Sequence, residues 1–393
     1  MIISRKILRN VSLTAHPVGC ALYVDEQLAW LESQPKGTGN FPKRVLVIGG
    51  STGYGLASRM AATTLGGAAT INISFEREPT ATKTATPGWY NTRAFERYAR
   101  QKGLFVESIF GDAFSDAIKE KTASLIAEKL GQVDLVVYSL ASPLRIDPVT
   151  GETYRSVLKP IGEDYRALSV DVQSGVIETA VIEKATDEQV VETVKVMGGE
   201  DWLLWIEYLN KRGLLANKVK TVAYSYIGPE VTYPVYREGT IGKAKEDLER
   251  TASILTSRLA SMHGEAYVSV NKALVTRASA VIPVVPLYIA LLYKVMKEKG
   301  LHEECTQQIY RLFTDRLYTS GEVPVDSAGR IRLDDWEMRS DVQVEVERRW
   351  NLQQEGAPLA EGDLEGFRQE YDNIHGFGYA AVDYNADVDP REI

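Results

Sequence analysis

Cysteine is nearly absent: Cys20 and Cys305 are the only two in 393 residues, too few for a disulfide framework or a thiolate metal site. Histidine is almost as scarce. His16, His263, His302 and His375 show no H-x-x-x-H or related spacing, so no metal centre is expected. An excess of positive charge is also lacking. Fifty-three acids against 45 bases give a net charge of −8, the wrong sign for a protein that binds nucleic acid by neutralising phosphates. Long hydrophobic runs are missing. The longest mainly apolar stretch, 278–293, is shorter than the roughly 18 residues of a membrane span, and Pro283 and Pro286 interrupt it. The apolar–basic–apolar start, residues 1–9, is too short for a secretory signal. These absences point to a cytoplasmic, reducing setting. What remains is a globular composition, 44% hydrophobic and 25% charged, which excludes disorder and fibrous repeats.

Strand and helix signals alternate along the chain. Residues 45–49 form a β-branched run entering a glycine-rich turn, followed by a small-residue helical segment, 56–65. A second strand is expected over 69–75, then a Thr/Pro-rich connection over 78–88. Next come a helix over 91–103 with a glycine stop, a third strand over 104–110, and a helix over 115–130 closed by Gly131. Residues 133–139 read as a buried fourth strand with Asp134 its only charge. Such alternation predicts an α/β protein with a Rossmann-type, doubly wound parallel sheet and right-handed crossovers. From 142 to 200 the pattern blurs, and turns such as Asp147-Pro148 suggest an inserted hairpin. It resumes with a helix over 201–212, a strand over 221–227, a long helix over 244–263, a strand over 266–270 and an apolar helix beyond Pro286. From His302 on, the chain reads as helical and charged, with a turn-rich break near 327–329. A single domain over 1–393 is expected, with a core over about 42–300, an insertion over about 142–200, helical decoration at the amino terminus and a helical extension over about 301–393.

The turn Gly49-Gly50-Ser51-Thr52-Gly53-Tyr54-Gly55 sits between strand and helix. Glycines there permit positive φ and close approach of a diphosphate to free N–H groups at the helix start. The G-x-x-x-G-x-G spacing suggests the short-chain dehydrogenase version of a dinucleotide turn. The same residues also fit G-x-S-x-G, a hydrolase elbow with Ser51 as nucleophile, but the turn follows the first strong strand and no later histidine is marked as its base. Glu76 falls 21 positions after Gly55, near the spacing of about 20 expected of a ribose-binding acid. A carboxylate there accepts both ribose hydroxyls and repels a 2′-phosphate, which favours NADH over NADPH. Asp112 falls where an adenine-contacting acid would sit; its plainer reading is a helix cap.

Tyr224 and Tyr226 lie two apart near a strand end and so share a face. Downstream, Leu248, Ala252, Leu255, Leu259 and Met262 form a helical core stripe, and Lys245 falls on it, whereas Lys243 falls on the charged face with Asp247 and Arg250. Tyr236 precedes Lys245 by nine residues. In one continuous helix they would stand on opposite faces, about 13.5 Å apart along the axis. Gly239 and Gly242 are therefore expected to break the helix and leave Tyr236 on a preceding loop that folds back. A cation near a phenol lowers its pKa, so Lys245 is expected to strengthen Tyr236 as a proton donor. The plainer readings are a core tyrosine and a snorkelling lysine.

Seven segments carry a family resemblance in order: 45–56 (VLVIGGSTGYGL), 111–115 (GDAFS), 137–143 (VYSLASP), 196–202 (VMGGEDW), 223–228 (AYSYIG), Tyr236-x8-Lys245 and 269–283 (SVNKALVTRASAVIP). With them the chain resembles the trans-2-enoyl-CoA reductases and the related V-type bacterial enoyl-acyl-carrier-protein reductases, long members of the short-chain dehydrogenase superfamily. The resemblance runs from Ala15 to Gly378, and its most specific mark is the Tyr-x8-Lys spacing. It implies that Tyr236 donates a proton, Tyr226 contacts the thioester and Lys245 holds the cofactor, NADH. It also implies cofactor contacts at Gly49, Gly50, Ser51, Thr52, Gly53, Tyr54, Phe75, Glu76, Asp112, Ala113, Leu140, Ala141, Leu274, Val275 and Thr276, with the apolar segment after Thr276 lining an acyl channel. Gly50 is a mild departure, since many relatives carry Ala or Cys there, and it should loosen the turn.

The reaction so implied is NADH-dependent reduction of the trans-2 double bond of enoyl-CoA or enoyl-acyl-carrier-protein, in fatty acid synthesis or short-chain acyl metabolism, by a monomer or homodimer. A 3-ketoacyl thioester dehydrogenase is the alternative on the same chemistry. An NADH-sensing regulator is the non-enzymatic one.

Overall fold

The computed structural model describes residues 1–8, 11–276, 279, 282 and 284–393. Of the stretches singled out above, Arg9 of the amino-terminal run and Arg277, Ala278, Ala280, Val281 and Pro283 of the 269–283 motif lie outside the described residues. A short antiparallel ribbon, β1 (Ile7–Leu8) and β2 (Val11–Ser12), precedes α1 (Pro17–Ser33). Alternation follows: β3 (Arg44–Ile48), α2 (Gly53–Gly66), β4 (Ala69–Ser74), α3 (Pro87–Gln101), β5 (Val106–Phe110), α4 (Asp116–Lys129) and β6 (Val133–Tyr138). Two hairpins interrupt it, β7 (Leu144–Ile146) with β8 (Thr153–Arg155) and β9 (Tyr165–Val170) with β10 (Ile177–Ile182). Then come α5 (Asp187–Met197), α6 (Glu200–Lys211), β11 (Leu215–Ser225), a 3₁₀ turn at Glu230–Val235, α7 (Thr240–Leu259) and β12 (Glu265–Val270). The chain closes with α8 (Val285–Glu298), α9 (Cys305–Leu312), β13 (Arg330–Arg332), α10 (Ser340–Trp350) and α11 (Leu364–Ile374).

One seven-stranded sheet, all parallel, runs β5-β4-β3-β6-β11-β12-β13. Its central strands β3 and β6 are apolar on both sides because helices cover both faces. Alternate residues sort accordingly. Val45, Val47, Leu135, Val137 and Val222 enter a core shared with α1, α2, α8 and α9. Leu46, Ile48, Val136, Tyr138 and Ala223 enter the opposite core, with α6 and the Leu248–Ala252–Leu255–Leu259 stripe of α7. The apolar stretch before Tyr293 resolves as α8, buried without interruption from Val285 to Tyr293 and packed on β9, α10 and α11. A helix hydrophobic all round belongs in such a place. Among the described residues no helix is long and apolar enough to cross a membrane.

Four expectations need correction. The insertion holds two hairpins and α5, not one hairpin; α5 starts with a reciprocal cap between Thr186 and Gln189, a T-x-x-Q signature that was present in the sequence. β11 begins six residues before Thr221, where exposed Asn217 and Lys218 and a bulge hide the strand's alternation. α7 starts at Thr240, so Gly239 is its cap and Gly242 lies inside it instead of breaking it. Finally, the carboxyl-terminal stretch is not purely helical, because β13 supplies the sheet's seventh strand.

Candidate active site

The glycine turn leaves β3 where the strand order reverses, between β3 and β6, the crevice in which open α/β sheets bind ligands. Gly49 has φ +91°, and a Cβ on it would collide with the carbonyl of Ser139. The Gly50 N–H donates to the buried Asn72 Oδ1 at 2.8 Å. Ser51 donates from Oγ to Glu76 Oε1 at 2.6 Å, so the serine of the elbow pattern faces a carboxylate, not an imidazole. Thr52 and Gly53 open α2, whose first-turn N–H groups lack partners within the helix. The Tyr54 hydroxyl donates to the Lys272 carbonyl at 3.0 Å and accepts from Gln308 at 2.9 Å, tying α2 to the segment that leads into Leu274.

Because the strands are parallel, the residues following them gather at the same edge. Phe75 is 83% exposed beside Glu76, a flat apolar surface at the rim. Asp112 Oδ1 accepts the Phe114 N–H at 3.0 Å, and Ser115, not Asp112, caps α4. The Ala113 carbonyl receives Lys119 Nζ and Trp205 Nε1 at 3.2 and 3.1 Å. Lys119 also pairs with buried Asp201 at 2.8 Å. Asp201 belongs to the VMGGEDW segment, which therefore supports this wall from behind. Leu140 lies against Gly49, and Ala141 is exposed. Leu274 and Val275 are buried and Thr276 is half-buried; the Val275 N–H donates to the Tyr293 hydroxyl at 2.9 Å. Tyr293 in turn contacts Glu370 at 2.5 Å, and Glu370 meets His302 at 3.1 Å. A glycine turn, helix-start amides, an acid and an exposed aromatic at one sheet edge fit a dinucleotide.

Tyr226 follows β11 directly, and Tyr236 closes the 3₁₀ turn, off α7 as expected. Their rings meet edge to face, centroids 4.8 Å apart. Gly242 makes this possible, since a Cβ there would strike the carbonyl of Arg237 and come within 2.6 Å of that of Tyr236. The glycine thus allows the tyrosine loop to lie on the first turn of α7. Lys245 faces inward and donates to the Tyr224 carbonyl at 2.9 Å, while Lys243 is exposed with Glu246. Tyr224 stands on the same side, its hydroxyl 2.5 Å from Ser58 Oγ and its ring 5.5 Å from Tyr54.

The expected acidification of Tyr236 by Lys245 is not found. Burial alone pushes Tyr236 up to about 12, and burial draws Lys245 down to about 8 against the pull of Glu249. At neutral pH the phenol keeps its proton. Glu337 escaped the sequence reading. It is fully buried and accepts from Tyr226 at 3.0 Å, from Tyr288 at 2.6 Å and from the Ala273 N–H at 2.7 Å. A lone acid 111 positions from Tyr226 leaves no local pattern to find.

The family model described as the trans-2-enoyl-CoA reductase catalytic region matches residues 83–318. The chain belongs to the trans-2-enoyl-CoA reductase family. The family's NAD(P)H binding domain matches residues 2–81, ending just past Glu76. A relative from Flavobacterium johnsoniae, named enoyl-[acyl-carrier-protein] reductase [NADH], is 54% identical over 99% of this chain and 98% of its own. Another from Ruminiclostridium cellulolyticum, named trans-2-enoyl-CoA reductase [NADH], is 53% identical over the same shares. The solved structure of Treponema denticola trans-2-enoyl-CoA reductase in complex with NAD superposes with a TM-score of 0.95 at 48% identity, covering 99% and 98% of the two chains. A third family model, described as an enoyl reductase FAD binding domain, matches residues 325–388. In this chain those residues form β13, α10 and α11, and among these described residues there is no strand–glycine turn–helix unit, so they do not fit a flavin diphosphate. They instead close the sheet and supply Glu337.

Proposed function

We propose that this chain reduces the trans-2 double bond of enoyl thioesters, carried on coenzyme A or acyl carrier protein, with NADH. The observation that carries the reading is the pair Tyr226 and Tyr236, 4.8 Å apart beside an inward-facing Lys245, at the sheet edge that bears the glycine turn. Full-length relatives named as NADH enoyl reductases support it. The cofactor would be held by Gly49 to Tyr54, by Glu76 at the ribose, by Phe75, Asp112 and Ala113 at the adenine end, and by Leu140, Ala141, Leu274, Val275, Thr276 and Lys245 near the nicotinamide. Bound NADH supplies the hydride for the β-carbon of the substrate. As that carbon is reduced, negative charge gathers on the thioester oxygen, and a preorganised phenol stabilises it by a few kcal/mol. Tyr236 would fill this role. Among the described residues nothing donates to or accepts from its hydroxyl, and its proton stays on at neutral pH. It then supplies the proton that the α-carbon needs, directly or through water.

The whole chain would act as one reductase unit, as a monomer or homodimer, in the cytoplasm. Cys20 and Cys305, both buried, suit a reducing compartment. The deciding assay follows NADH oxidation with crotonyl-CoA, the same acyl group on acyl carrier protein, and acetoacetyl-CoA. Turnover with either enoyl carrier and none with the ketoacyl thioester supports the reading, and the reverse pattern replaces it with the carbonyl dehydrogenase.

A further inference from the structure

The two tyrosines differ in one respect that decides what each can do. Tyr236 has a hydroxyl without a protein partner among the described residues. Tyr226 points its hydroxyl at Glu337 Oε1, 3.0 Å away, and the same oxygen takes Tyr288 at 2.6 Å while Oε2 takes the Ala273 N–H at 2.7 Å. Gln343 completes the frame by donating to the Tyr288 hydroxyl and the Glu337 carbonyl at 3.2 and 2.8 Å. Lys272, also buried, adds positive charge nearby. Three donors converge on a carboxylate with no access to solvent, and such fully connected buried networks fix geometry. A phenol has one proton. While that of Tyr226 is given to Glu337, only Tyr236 has a proton free for the substrate.

We propose that Glu337 is a positioning residue. By accepting the Tyr226 hydrogen bond it fixes the Tyr226 ring as the wall against which Tyr236 packs, and so leaves Tyr236 as the proton donor. Ala273, one residue before Leu274, shares the same carboxylate, so Glu337 also joins the tyrosine wall to the cofactor-side segment. This rests on the reading of Tyr226 and Tyr236 given above.

A double-mutant cycle tests it. E337Q keeps shape and removes charge. Its amide oxygen turns to the Ala273 N–H, which leaves the NH₂ group facing the phenols and reverses the hydrogen bond to Tyr226. We expect E337Q to lower kcat with crotonyl-CoA by about tenfold in the native background and by less than about twofold in the Y226F background. The NADH dissociation constant, read by fluorescence, stays unchanged in both. Equal losses in the two backgrounds, or no loss in either, overturn the proposal. If Y226F and Y236F themselves leave turnover intact, the site reading fails instead, which is a distinct result. Should E337Q not fold, E337D withdraws the carboxylate by one methylene and is run through the same cycle, with the same background dependence required.

Discussion

The glycine turn and the tyrosine wall stand at one edge of one sheet, yet they are held by different means. In the turn, the constraints are backbone conformation and short reach. Gly49 needs its positive φ, Gly50 bonds to Asn72 22 positions on, and Ser51 bonds to Glu76 25 positions on. In the wall, Tyr226 depends on a carboxylate 111 positions away, and Tyr236 on the absence of a single methyl group at Gly242. In the first region, Asn72 and Glu76 lie within 25 positions of the turn residues they bond. In the second, the partner of Tyr226 comes from a distant part of the chain.

The comparison breaks most readily at Tyr236. Y236F should lower turnover by about 10³-fold while an NADH titration stays unchanged; weakened NADH binding would show that the two regions are not separable. Next is G242A, whose methyl must push the Tyr236 loop away and should cost about 10²-fold in kcat, with the NADH dissociation constant again the control. G49A ought to do the opposite, raising the NADH dissociation constant by roughly tenfold with a smaller change in kcat at saturating cofactor, since the strain lies in the turn. A G49A protein with normal NADH affinity would remove the turn from the binding site.

The smallest effect expected is in the pH profile. Lys245 titrates near 8, below its ordinary 10.5, because burial disfavours the ammonium. Any part of NADH binding that uses its charge should be complete below pH 8 and fade by a few-fold above it. The sign for stability is reversed: the buried charge is a cost at neutral pH, relieved as pH rises from about 8 towards 10.5. Titrating NADH affinity and thermal midpoint across that window checks both directions at once, and a K245M variant should flatten each.

Much of the fold was legible because its signals are local. The β-branched runs of β3 and β6 and the Leu248–Leu259 stripe each lie within one element and obey one periodicity. β11 was shortened in the reading because a bulge at Lys218 and polar Asn217 disturb the alternation. β13 was missed because three residues, Arg330–Arg332, are too short and too charged to announce a strand; only pairing with β12 makes them one. Gly242 was given the wrong part. Glycine in sequence reads as a helix breaker, but here close approach of another backbone is what requires it.

The sequence alone therefore determined the doubly wound sheet, the dinucleotide turn and which tyrosines and lysine face inward, since each follows from spacing along a single strand or helix. Tertiary structure decided how those groups are charged and aimed. It raised Tyr236 instead of acidifying it, turned Lys245 to the Tyr224 carbonyl, and set Glu337 behind Tyr226. Burial and hydrogen-bond partnership depend on what the rest of the chain brings alongside, and no periodicity records that.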